Sequence, residues 1–127
     1  MTVIATLSRY IARKIDLSRR LPGPSKLWAM EMLGGAPHIG AFLRGRVREL
    51  VAEKAALVET WVEQGRMAPV APAHLFFVIW AATQTYADFS VQMTNVLNRR
   101  TLDAGFYDDA RDTITTLVLN GLGLRRG

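Results

Sequence analysis

The sequence predicts an all-α domain of five helices. Three observations carry that reading. Apolar residues recur at three- and four-residue intervals through most of the chain, and no segment alternates apolar and polar residues as a half-buried strand would. Proline and glycine cluster between the periodic stretches, where they end one helix and let the next begin. The chain has 127 residues, half of them hydrophobic. It is long enough for one domain with a core of its own and too apolar for a disordered segment. It contains no cysteine, so the core must hold without disulfides or thiolate metal sites.

The first helix is expected over residues 2–20. Ile4, Leu7, Ile11 and Ile15 form its apolar stripe, and Arg9, Arg13, Asp16 and Arg20 take the other side. The run Leu-Pro-Gly-Pro at 21–24 ends it. Ser25 is a suitable N-cap for a short second helix to about residue 33, and Gly34, Gly35 and Pro37 break the chain again. The third helix runs over about 38–64. Leu43, Val47, Leu50, Val51, Lys54, Val58, Trp61 and Val62 make its inward stripe, with Lys54 the single polar exception. Gly65 is the expected C-cap.

A fourth helix is expected over about 72–97, with Pro72 at its first position. The fifth covers about 106–120 and buries Phe106, Ala110, Ile114, Leu117 and Val118. Asp108 and Asp109 stand near its N-terminus, where the helix dipole favours anions. Arg125 and Arg126 make a basic tail.

The fourth helix is the informative one. At 100° per residue, Phe76, Phe77, Trp80, Thr83, Gln84, Ala87 and Val91 fall on one side. Val78, Ala82, Thr85, Tyr86, Phe89 and Met93 fall on the other. A helix apolar on both sides must be covered on both sides. Four companion helices can hardly enclose it, so a homodimer is expected to cover the face of Val78, Ala82, Thr85 and Phe89.

Several function classes lose support. There is no phosphate-binding loop, no nucleophile elbow and no HExxH, so no enzyme, catalytic residue, cofactor or metal site is expected. The longest continuous apolar part of the fourth helix, residues 75–82, is far short of the roughly 20 residues of a membrane span. The net charge of +5 is uneven: residues 1–48 carry nine basic and two acidic side chains. Those basic residues are expected mainly on one exposed face with no aromatic interleaving, so sequence-specific DNA binding by this chain alone is not expected.

Trp80 and Gln84 lie one helical turn apart on one face. An indole offers a flat apolar surface, and an amide offers a donor and an acceptor side by side. Together they suit a small planar ring with an N–H/C=O edge, such as a pyrimidine. Core filling by Trp80, with Gln84 bonded to the backbone, is the competing reading.

The segments Lys26-Leu-Trp-Ala-Met-Glu-Met-Leu-Gly-Gly-Ala-Pro37 and Trp80-Ala-Ala-Thr-Gln-Thr-Tyr-Ala-Asp-Phe89 resemble the C-terminal half of TetR-type transcriptional regulators, nearest to those of pyrimidine utilisation. Glu53-Lys54 and the loop Met67-Ala-Pro-Val-Ala-Pro72 extend the likeness over nearly the whole chain. The resemblance implies a single regulatory domain over residues 1–127, cytoplasmic, dimerising through its last two long helices as a four-helix bundle. It implies a small-molecule effector, with uracil or thymine the obvious candidates. Trp80 and Gln84 then lie at the effector pocket, and helix position suggests Trp28 and Met30 as further wall residues. It also implies that DNA is read by an N-terminal helix-turn-helix, which this chain does not contain. An effector-free helical dimer that pairs with full-length regulators is the alternative expectation.

Overall fold

The computed structural model describes residues 2–124 and contains only helices and connections among them. The basic tail at Arg125 and Arg126 lies outside the described residues.

Helix α1 spans Val3–Arg20 and begins where the Thr2 hydroxyl accepts the Ala5 N–H at 3.0 Å. That bond satisfies one of the free donors of the first turn. Val3, Leu7, Ile11 and Ile15 are buried along one stripe, and α1 packs against the later helices as the central element of the domain. Helix α2, Pro22–Leu33, starts after a single non-helical residue, Leu21. Pro22 suits the first turn because no N–H is needed there. Ser25 is therefore inside α2 rather than its N-cap. Its hydroxyl instead donates to Asp88 Oδ1 at 2.6 Å, which ties α2 to the end of the fourth helix.

Gly35 (φ +89°) turns the chain out of α2 in a conformation that a side chain would strain. Glu31 then reaches across the turn. Its Oε2 accepts the N–H groups of His38 at 2.6 Å and Ile39 at 2.9 Å, just before the next helix. Partial desolvation pushes this carboxyl up. The two backbone donors and the nearby His38 ring together outweigh it and hold the group below its ordinary range.

Helix α3 is one continuous rod. An α turn at Gly40–Phe42 passes into a π-helical stretch at Leu43–Val47 and then into regular α-helix at Arg48–Glu63. Its C-cap is Gln64, one residue before the glycine expected there; Gly65 (φ +69°) follows as the left-handed residue, with the Arg66 N–H bonding back to Trp61 O at 2.9 Å.

The long fourth helix of the sequence reading is two helices. Helix α4, Pro72–Asp88, stops at Phe89 (φ −122°, ψ 28°), and α5, Ser90–Val96, continues beyond it. No proline or glycine marks this break. Helix α6, Ala104–Gly121, is capped by Asp103, whose Oδ1 accepts the Phe106 N–H at 2.8 Å. The described residues thus form six helices.

The core is centred on Ile11, Ile79 and Leu119, none more than 1% exposed. Val58 and Trp61 close it from α3, and Ala110, Ile114 and Val118 from α6. Leu117, expected inside, is 68% exposed; Leu119 and Leu122 take the buried positions instead. Tyr86 of α4 meets Phe106 and Tyr107 of α6 with ring centroids 5.9 and 6.5 Å apart.

Candidate functional site

A cavity of about 610 Å³ opens between α1, α2, α3 and α4. Its size falls within the range of roughly 300–1,000 Å³ typical of small-molecule sites. Periodicity explains how it is lined. On α1, Tyr10, Lys14 and Leu17 lie beside the buried stripe, with the buried Ser18 at its edge, and Leu21 joins them from the link to α2. On α4, Phe76, Trp80 and Gln84 follow at four-residue intervals. From α3 come Leu43, Val47, Leu50, Val51 and Lys54, the upper part of the stripe that sequence periodicity assigns to the inside. Helix α2 closes the last side with Pro24, Ser25, Trp28 and Met32.

The polar groups fall into two sets. Some are already engaged by the protein. Ser18 donates its hydroxyl to Thr83 O at 2.8 Å, and Ser25 is held by Asp88. The Trp80 indole N–H donates to the Tyr10 hydroxyl oxygen at 2.8 Å. Burial pushes the Tyr10 phenol up, against the Trp80 bond that pulls it down, so at neutral pH it keeps its proton. With its oxygen accepting from Trp80, that O–H remains able to donate.

The second set is uncommitted. The Gln84 amide bonds to no other described residue. Lys54 Nζ lies 4.6 Å from the centroid of the Tyr10 ring and Lys14 Nζ lies 5.5 Å from it. Burial lowers the pKa of Lys14, and the neighbouring Lys54 charge lowers it further. The wall is otherwise hydrocarbon and indole.

Three of the four residues singled out from the sequence, Trp28, Trp80 and Gln84, line this cavity together. Met30 does not: it is 69% exposed, and Met32 supplies the methionine of the wall. Residues two apart on a helix point to nearly opposite sides. Tyr10 and Lys14 were missed, although they continue a four-residue spacing beside the α1 stripe. Lys54 left a visible signal as the charged residue in an apolar stripe.

On the outer side of α4, Val78 and Phe89 are 57% and 56% exposed. Thr85 and Ala82 are half-buried, Ala82 against the core. Phe77, grouped with the inward side in the sequence reading, is 52% exposed. Thr85 and Phe89 border a second, shallower hollow of about 290 Å³ between α4, α5 and α6. No described helix is long and apolar enough to cross a membrane.

The family model for the YcdC-like protein C-terminal region matches residues 3–125. Among curated proteins, the chain is similar to the HTH-type transcriptional regulator RutR of Escherichia coli O157:H7, of E. coli K12 and of Shigella flexneri. Each is 39% identical over 119 residues, which is 94% of this chain and 56% of the relative. The chain therefore spans little more than half the length of these relatives. By name they are transcriptional regulators, not enzymes.

Proposed function

We infer the function from one premise: the chain belongs to the YcdC-like C-terminal family of TetR-type transcriptional regulators. The function that best fits the geometry is effector sensing. The cavity between α1 and α4 holds a small planar molecule, a pyrimidine such as uracil or thymine. The carrying observation is the pairing of an uncommitted Gln84 amide with the Trp28 and Trp80 indoles in one largely apolar cavity. Gln84 is only partly buried, so water can reach its amide in the open cavity; an occupant that displaces that water must pair with the amide or forfeit about 1–3 kcal/mol. The site therefore favours an occupant that offers a donor and an acceptor, and the indoles favour a flat one.

Dimerisation belongs to the same proposal. The described surface measures 8342 Å², about a quarter more than the roughly 6,700 Å² expected of a compact monomer of this mass. Phe77, Val78 and Phe89 on the α4 side and Leu117 on α6 are large apolar residues more than half exposed. A symmetric pairing of these helices would cover them. In a full-length cytoplasmic regulator, effector binding would shift the spacing of two DNA-reading heads through such a dimer.

Calorimetric titration with uracil and thymine tests the reading. Saturable binding is expected. Gln84→Leu should weaken it by roughly tenfold to a hundredfold, from the loss of about 1–3 kcal/mol, while helix content stays unchanged. No heat with either compound, or equal affinity in Gln84→Leu, removes the pyrimidine assignment.

A further inference from the structure

We propose that the effector is an anion: a planar ring bearing one carboxylate, seated with that group between Lys14, Lys54 and the Tyr10 hydroxyl. The inference rests on the reading of the cavity as an effector site and specifies the charge of what it takes.

The cavity lining carries two ammonium groups and no carboxylate. Among the described residues neither lysine forms an ion pair. Both approach the same Tyr10 ring, at 5.5 and 4.6 Å from its centroid, from two different helices. Asp88 is tied to the lining by accepting the Ser25 hydroxyl but does not itself line the cavity.

Two like charges brought together repel one another, and the half-buried Lys14 also loses hydration beside the apolar walls, whereas Lys54 is exposed. The lowered pKa of Lys14, driven by burial and then by Lys54, is the expected consequence. A carboxylate placed between them reverses both effects. It also receives the Tyr10 O–H, which remains free to donate while its oxygen accepts the Trp80 N–H. Charge-assisted hydrogen bonds of this kind are roughly twice as strong as neutral ones. The rest of the ring lies against hydrocarbon and indole, with Gln84 at its edge.

Matched pairs of ligands test this in the full chain. Orotate is uracil with one added carboxylate, and benzoate is compared with benzamide. Calorimetry is expected to show orotate binding at least about tenfold tighter than uracil, and benzoate tighter than benzamide, with both anions weakened by added salt. Lys14→Met and Lys54→Met should each reduce orotate affinity about tenfold and reduce uracil affinity by much less. Lys14→Arg should retain most of the orotate affinity, which separates a role in charge from a role in folding. Uracil binding as tightly as orotate, with Lys14→Met indifferent for both, overturns the anion assignment and leaves the pyrimidine reading standing. Benzoate and orotate binding without uracil supports the anion and removes the neutral pyrimidine. If none of the four binds, both readings fall.

Discussion

Val78→Asp should turn the proposed dimer into monomers. Val78 is 57% exposed on the side of α4 turned away from the core, so the protomer itself tolerates a carboxylate there. In a two-fold dimer the substitution appears twice across one apolar contact, because the same patch is used by both copies. Taking an unpaired carboxylate out of water costs several kcal/mol. A loss of about 3 kcal/mol already weakens association roughly a hundredfold. Sedimentation at micromolar concentration should show a dimer for the unsubstituted chain and a folded monomer for Val78→Asp. An unsubstituted monomer would refute the interface, and so would a dimer untouched by the substitution. Ala82→Asp is a poorer test, because Ala82 also packs against the core.

The largest loss of stability should follow Ile11→Ala. Ile11 is fully buried in the middle of α1, which packs against both α4 and α6. Truncating a buried isoleucine costs about 2–5 kcal/mol, through lost burial and the cavity left behind. Whole domains are stable by only about 5–15 kcal/mol. Thermal unfolding followed by circular dichroism should drop by about 10 °C. An unchanged midpoint would show that α1 is not the central packing element.

Much of this architecture is legible in the sequence because its signals are local. The α1 stripe, Pro72 at a helix start and Gly65 at a helix end each follow from the spacing or backbone chemistry of a few residues. What is illegible is the orientation of helices that lack a polar face. Helix α4 is apolar nearly all round, so nothing in its sequence fixes its rotation, and Phe77 faces outward rather than inward. The same holds for α2, where Met30 and Met32 are equally apolar and only packing decides which meets the cavity.

The break at Phe89 has no proline or glycine to announce it. On α3, periodicity cannot distinguish a residue packed in a core from one facing a cavity. Leu43, Val47 and Leu50 read as core and are cavity wall. The charge of Lys54 in that stripe was the one trace of the difference. Tyr10 and Lys14 acquire their meaning only when the fold brings Lys54 of α3 to the Tyr10 ring of α1, a long-range arrangement that no local pattern encodes.

The tryptophans allow the central claim to be tested within one molecule. Trp28 and Trp80 line the cavity, whereas Trp61 is in the core and 6% exposed. Their indole N–H signals can be followed separately by nitrogen–proton NMR during titration with uracil. The account predicts saturable movement of the Trp28 and Trp80 signals, with the Trp80 signal reporting on its bond to Tyr10, while the Trp61 signal stays in place. Movement of Trp61 alone, or no movement of Trp28 and Trp80 at millimolar uracil, would contradict it.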